Sequence, residues 1–162
     1  MVRVSKGWMG FLLAVTGVFA ITGSLAAADD PPVSGIFKGN GQEAKLAYVT
    51  TLKGEPFADK PTIVLVLTEK DASKDKKPDF GAMFGKYGSA LIITVHEDGS
   101  IVGCQVVHTA HKKSGFSSVG KIKMSDFKLK DGKIQGKLST GGEDEFFGDK
   151  WEVDLKFRAP AP

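Results

Sequence analysis

Three dipeptides that end in glycine constrain the fold of this chain more than any other feature. They are Asn40-Gly41, Asp98-Gly99 and Asp131-Gly132, and β-branched and apolar residues flank them. Asn-Gly and Asp-Gly suit two-residue turns in which both central residues have positive φ, the turns that join neighbouring antiparallel strands. The sequence therefore predicts at least three β-hairpins.

The middle hairpin should pair residues 89–97 with residues 100–108. A two-residue turn at Asp98-Gly99 would place three apolar pairs on one face: Val95 and Val102, Ile93 and Cys104, and Leu91 and Val106. Because side chains alternate along a strand, this face is expected to be core and the other face to be mixed. Cys104 is the one cysteine, so we expect a buried small side chain and no internal disulfide.

The outer two hairpins follow the same logic. The first should pair residues 33–39 with residues 42–51, which places Lys38 opposite Glu43, Phe37 by Ala44 and Val33 by Tyr48. The third should pair residues 121–130 with residues 133–139. Met124 and Phe127 are both apolar, but residues three apart point to opposite faces of a regular strand. We therefore expect a β-bulge near Ser125-Asp126, which would bring both to the same face.

The remaining segments complete a mostly β pattern. Residues 54–61 contain two prolines and are expected to form a loop, and the apolar run 62–68 is typical of a strand buried on both faces. Residues 69–77 are charged and should be a solvated loop. Residues 140–150 form a glycine-rich acidic loop without calcium-ligand spacing, and residues 151–158 alternate like a strand with one wet face.

One short helix is expected at residues 78–87. Pro78 suits its first turn, and Phe80, Met83, Phe84 and Tyr87 fall on one helical stripe. We expect this stripe to pack on the sheet. The alternative is a lid that covers an apolar ligand.

Residues 1–28 are typical of a secretory signal peptide. Arg3 and Lys6 supply positive charge, residues 11–21 are apolar, and residues 26–28 offer an Ala-x-Ala cleavage site. We therefore expect a secreted or periplasmic protein in which residues 29–162 form one β domain without a transmembrane span. The alternative is that the apolar run is kept as a membrane anchor.

Cleavage would change the charge balance. It removes Arg3 and Lys6 but no acidic residue from totals of 22 basic and 19 acidic residues, so the rest of the chain is nearly neutral. A neutral domain gives no general electrostatic reason to expect nucleic acid as a partner. The partner is unknown, and an envelope or extracellular molecule fits the expected compartment.

The best candidates for chemistry are His108 and His111. Two histidines three residues apart can share a metal ion on a tight turn, but polar strand-end histidines are the simpler interpretation. A hydrolase would need Ser114, Ser117 or Ser118 beside one of them. Near-matches to nucleotide-binding glycine motifs lack the required helix, so no cofactor is expected.

A row of lysines is predicted on the outward face of the third hairpin, at Lys128, Lys130, Lys133 and Lys137. Such a row keeps a strand soluble and protects sheet edges. It can also bind an anionic polymer or a membrane surface. These lysines, with Phe80, Met83 and Phe84, are the candidate residues for ligand or surface binding.

The chain also resembles a known family. The residues that carry the resemblance are the glycines around Asn40, the Asp98-Gly99 hairpin, His108, the Gly115-Phe-Ser-Ser run, and the stretch from Gly136 to Phe157. Together they are similar to a family of exported all-β bacterial domains that has no known activity. The resemblance implies a fold and a compartment and transfers no active residue.

These observations predict an antiparallel β-sandwich or a small β-barrel of about seven to eight strands, with one short helix near residues 78–87. The missing catalytic set favours an exported, non-enzymatic binding domain of unknown ligand. The alternatives are a metal-binding envelope protein that uses His108 and His111, or a small hydrolase.

Overall fold

A computed structural model describes residues 31–113 and 115–162; the predicted signal peptide and Ser114 lie outside this part of the chain. Within it, eleven strands and one short helix form, in this order: β1 (Val33–Gly39), β2 (Gln42–Glu43), β3 (Tyr48–Phe57), β4 (Lys60–Thr68), α1 (Pro78–Met83), β5 (Ala90–His96), β6 (Ile101–Val107), β7 (Phe116–Ser117), β8 (Lys123–Lys130), β9 (Lys133–Ser139), β10 (Asp144–Phe146) and β11 (Asp149–Pro160). No helix among these residues is long and apolar enough to cross a bilayer.

The strands form two separate antiparallel sheets, so the fold is the β-sandwich of the two predicted architectures. The first sheet has the order β2-β1-β11-β9-β8, with β10 beside the start of β11, and the second has the order β3-β4-β5-β6-β7. Alternate residues of each sheet meet in a shared core, whose largest members include Phe37, Leu65, Leu91, Leu138 and Trp151. The shared core follows from alternation along the strands. In β11, for example, alternating apolar residues are buried and the residues between them face outward.

Two of the predicted turns form as expected. Asn40 and Gly41 have φ values of 49° and 78°, and Asp131 and Gly132 have values of 53° and 68°. Lys38 lies opposite Glu43 in the first hairpin, as predicted. The third hairpin contains the predicted bulge, since its register shifts between Ser125 and Lys128.

The middle turn differs from the prediction. Only Gly99 has a positive φ, and its N–H donates to the carbonyl of His96 at 3.0 Å. The N–H of His96 in turn donates to the carbonyl of Ser100 at 2.9 Å, which makes the loop three residues long. The carboxylate of Asp98 accepts the Ser100 N–H at 2.8 Å, and this local bond favours the longer loop over a two-residue turn.

The longer loop changes one predicted pair and leaves two intact. Val95 pairs with Ile101, not with Val102, because the register shifts at this point. The shift restores the expected alignment further along, so Ile93 faces Cys104 and Leu91 faces Val106. Cys104 is buried as predicted, and burial raises the pKa of its thiol to about 12.

The second arm of the first hairpin is much shorter than predicted. After the two residues of β2 the chain crosses to the other sheet, and Leu46 is buried in the core on the way. Tyr48 therefore pairs with Thr68 and not with Val33, which pairs with Phe157. The long apolar strand β4 gives β3 a better partner than the exposed edge of β1.

The expected loop at residues 54–61 is instead the end of a hairpin. Strand β3 runs to Phe57, and Ala58 and Asp59, with φ values of 49° and 59°, make the turn to β4. Pro56 lies where the ladder is irregular, so its missing N–H breaks no regular pairing. The predicted central strand is confirmed, because β4 lies between β3 and β5 and is buried over most of its length.

Helix α1 forms where predicted, but the expected stripe does not pack on the sheet. Pro78, Ala82 and Tyr87 are buried, whereas Phe80, Met83 and Phe84 are exposed. The small Ala82 side chain faces the outer surface of the second sheet, in a cluster with Val66, Ile92 and Val107. The helix ends early because Gly85 and Gly88 adopt positive φ values.

Candidate functional site

One end of the sandwich brings together the loop after β6, the β1–β2 turn and the β10–β11 turn. We call this region the histidine corner and define it by Gly39, Asn40, His108, His111 and Asp149. Its residues come from three distant parts of the sequence, and hydrogen bonds between Asn40, Asp149 and the loop hold them together.

Asp149 is the anchor of the corner. Its side chain is almost completely buried, with a relative exposure of 1%. Its Oδ1 atom accepts the side-chain N–H of Asn40 at 2.8 Å and the backbone N–H of Lys112 at 3.0 Å, and Oδ2 accepts the N–H of Lys113 at 3.3 Å. The bonds from the Lys112 backbone and from Asn40 hold the pKa of Asp149 below its usual value.

Asn40 links the same loop to both turns. Its Nδ2 group also donates to the carbonyl of Ala110 at 3.0 Å, and its Oδ1 atom accepts the N–H of Lys150 at 2.8 Å. Its backbone has φ 49°, a conformation that asparagine tolerates better than most residues. Asn40 is therefore suited both to the turn and to the bonds that its side chain makes.

His108 is buried beside Phe37, with ring centroids 5.0 Å apart, and 4% of its surface is exposed. Burial and, secondarily, the neighbouring His111 lower the pKa of His108 to about 4, so the ring is neutral at pH 7. Its Nδ1 atom accepts the N–H of Ala110 at 3.1 Å, which places the ring proton on Nε2. That atom is buried and has no hydrogen-bond partner among the described residues.

The two histidines are close, as their spacing suggested, with ring centroids 5.2 Å apart. Nε2 of His111 lies 3.0 Å from the carbonyl of Lys150, and a carbonyl only accepts, so this nitrogen carries the proton. The lone pair of His111 is then on Nδ1, while His108 directs an N–H from Nε2. This arrangement gives the pair one unprotonated, unengaged nitrogen and not the two that a shared metal ion would need.

The other expected sources of chemistry are separate from the corner. In residues 31–113 and 115–162, no group of three or more His, Cys, Asp or Glu residues has the geometry of a metal site. In the same residues, neither His108 nor His111 hydrogen-bonds to a serine hydroxyl. Ser117 lies in strand β7 opposite Gln105, and the backbone N–H of Ser118 bonds to Cys104.

Aromatic rings extend from the corner to the surface. Phe116 lies 5.4 Å from the ring of His111, stacks on Phe146 at 4.7 Å, and meets Trp151 edge-on at 5.7 Å. Phe146 in turn contacts Phe147, which is exposed at the tip of the β10–β11 turn. Sequence reasoning missed Phe147, because an acidic glycine-rich stretch predicts only a loop and Phe is not a usual turn residue.

A second candidate region is the outer surface of the first sheet. The predicted lysine row lies there, and neighbouring strands extend it. We call the set the basic face: Lys123, Lys128, Lys130, Lys133, Lys137, Lys156 and Arg158. Register shows that these residues share one surface, since Lys137 lies between Ser125 of β8 and Lys156 of β11, and Gln135 lies between Lys128 and Arg158.

The basic face is uncovered, and its basic side chains outnumber the acids Asp126 and Asp154 that lie among them. Among the described residues, Lys137 is the one member in an ion pair, with Asp154 at 3.1 Å. An open cleft of about 410 Å³ crosses the face and includes Ser34, Gln135 and Arg158 in its lining. On the second sheet, α1 and the chain around it cover part of the outer side.

Comparison with other proteins adds no evidence on the site. No family model matches the chain, and no curated protein or solved structure matches it. The expected resemblance to exported all-β domains therefore stays a prediction, and function has to be argued from geometry and charge.

Gly39 offers a direct test of the corner. A Cβ atom at this position would lie 2.5 Å from Nδ1 of His108 and 2.7 Å from Nε2 of His111. Gly39→Ala should therefore lower the free energy of unfolding by about 1–3 kcal/mol, the usual range for overpacking. Urea denaturation measures this, and Gly120→Ala is the matched control, since its Cβ would meet open space. Equal midpoints for the two variants would contradict the contact.

Burial of His108 predicts a pH dependence of stability. Between about pH 6.5 and pH 4 the unfolded chain binds a proton at this ring and the folded chain does not. Stability should therefore be complete above pH 6.5 and fall as the pH drops through that window, by up to about 1.4 kcal/mol per pH unit. Denaturant midpoints between pH 4 and pH 7 measure the slope. His108→Asn, which keeps an acceptor for Ala110, should flatten it, and an unchanged slope in that variant would show that another group is responsible.

Proposed function

We propose that this chain is an exported, non-enzymatic domain that binds an anionic polysaccharide on its basic face. The single observation that carries the proposal is the segregation of charge: seven basic side chains share one uncovered sheet surface, and one acidic partner is paired there. The chain as a whole has a formal net charge of only +3. Overall basicity therefore does not account for the face.

The interior of the sandwich supports binding on the outside. Phe37, Leu65, Leu91, Ile93 and Trp151 are fully or almost fully buried where the two sheets meet. Side chains of this size fill the space between sheets about 10 Å apart. A ligand that this domain recognises would accordingly contact its surface.

The geometry of the basic face suits an extended polymer better than a single small ion. Backbone positions on adjacent strands lie roughly 5 Å apart, and positions two residues apart on one strand lie about 7 Å apart. Charges therefore repeat in two directions over the surface. An anionic chain that lies across the strands could contact several of them at once, which is how weak single contacts add to useful affinity.

Polar groups between the cations favour a sugar polymer. Ser34 and Gln135 line the cleft together with three cations, Lys137, Lys156 and Arg158, and one acid, Asp126. Hydroxyl and amide groups donate and accept hydrogen bonds, and so can pair with sugar hydroxyls, while lysine and arginine meet the acidic groups. The expected compartment outside the cytoplasm is consistent with such a ligand.

Neutralising the face should remove binding. We expect the wild-type domain to be retained on immobilised heparin, a sulfated polysaccharide, and to be released by salt, because salt screens exposed charges. The fourfold variant Lys128→Gln, Lys133→Gln, Lys156→Gln and Arg158→Gln should lose about tenfold or more in affinity. The salt concentration at elution and the Kd from calorimetry measure the change.

A matched variant separates the face from total charge. Lys45, Lys53, Lys70 and Lys76 are exposed and lie outside the basic face, so changing all four to Gln alters the net charge by the same amount. This control should elute at nearly the wild-type salt concentration. Equal loss in both variants, or no retention of the wild type, would refute a polysaccharide site on this face.

A further inference from the structure

Four large apolar side chains are exposed on two segments, α1 with the residue that follows it and the β10–β11 turn, and each segment contacts the loop after β6. The exposed fractions are 59% for Phe80, 39% for Met83, 70% for Phe84 and 76% for Phe147. Scattered exposed apolar residues need no explanation, but exposed apolar residues on adjoining elements often mark an interaction site. We call these four residues the aromatic end.

The helix and the turn that carry these residues are connected through the loop after β6. The backbone of Met83 lies beside Gly115. Two residues earlier in the loop, the ammonium group of Lys113 lies 4.6 Å from the centre of the Phe147 ring. Phe80 of α1 contacts Phe84, the residue that follows the helix, with ring centroids 4.7 Å apart. The apolar rings therefore border a loop with basic side chains.

Phe147 is held in an unfavourable backbone conformation. Its φ is 49°, a value that is a genuine outlier for a bulky residue and that Gly or Asn would adopt more easily. Strain of this kind is most often kept where it positions a functional side chain. Phe146 braces the ring from below at 4.6 Å and itself stacks on the buried Phe116. The turn thus presents a supported aromatic ring to solvent.

Two exposed lysines lie beside the aromatic end. Lys112 and Lys113 are exposed, and Asp149 fixes their backbone N–H groups. Neither forms an ion pair with another described residue. The acids of the nearby hairpin already face lysines: Glu143 pairs with Lys150 at 2.9 Å, Asp144 pairs with Lys121 at 3.2 Å, and Glu145 lies opposite Lys150 in register.

We propose that the aromatic end docks on the surface of a phospholipid bilayer that contains anionic lipid. Phe147 and Phe84 would enter the boundary between headgroups and acyl chains, while Lys112 and Lys113 meet the lipid phosphates. Lysine can keep its ammonium group in the headgroup layer while its methylene chain contacts apolar surface. A projecting ring on a hairpin tip suits a soft apolar phase, whereas a protein partner would have to supply a matching pocket.

This inference does not depend on polysaccharide binding, because it uses different residues. Its test is cosedimentation with vesicles of phosphatidylcholine containing about a third phosphatidylglycerol. The wild-type domain should pellet with these vesicles, and the double variant Phe84→Ser with Phe147→Asn should bind about tenfold or more weakly. Because asparagine favours positive φ, Phe147→Asn should not lower the urea midpoint, so lost binding would not reflect unfolding.

Two controls make the outcome specific. Phe57 is also exposed but lies in the β3–β4 hairpin, so Phe57→Ser should bind vesicles like the wild type. The fourfold variant of the basic face should stay within about twofold of the wild type. The proposal is overturned if the wild type does not pellet, if Phe57→Ser loses as much binding as the double variant, or if only the basic-face variant loses it.

Discussion

The buried carboxylate of Asp149 is the interaction on which the functional end of this sandwich depends. A charged group without solvent is tolerated only when hydrogen bonds replace its water. Here the donors are the side chain of Asn40 and the backbones of Lys112 and Lys113, so two loops that are far apart in sequence share one acceptor at the start of β11. These hydrogen bonds hold the loop that carries the histidine pair. The same loop places Lys113 beside Phe147.

Much of the fold could be predicted from turn residues and alternation. Asn40-Gly41 and Asp131-Gly132 have positive φ at both positions, and the residue pairs next to each turn follow. The prediction of a two-residue middle turn was wrong because the Asp98 side chain bonds to the Ser100 N–H and stabilises a longer loop. The predictions also missed the crossing between sheets at Leu46 and the exposure of Phe80 and Phe84, for a different reason. Both depend on which neighbour offers the better tertiary contact, and local patterns do not contain that information.

The candidate sites were predictable only in part. Spacing placed His108 near His111, but it could not show which nitrogen of each ring carries the proton. Backbone groups of Ala110 and Lys150 decide that, and they make the pair a poor metal site. The lysine row was visible in sequence, whereas its extension by Lys156 and Arg158 required the pairing of β9 with β11. The exposed turn position of Phe147 could not be predicted, because a positive φ is unusual for a phenylalanine.

A double-mutant cycle between Asn40 and Asp149 tests the central claim most directly. Asn40→Gly removes the side chain and keeps the positive φ, and Asp149→Ala removes the buried acceptor. If the two side chains act as one unit, each single variant should lower the urea midpoint, and the double variant should be more stable than the sum of the two effects predicts. Strictly additive effects, or an Asp149→Ala midpoint equal to the wild-type value, would contradict the account.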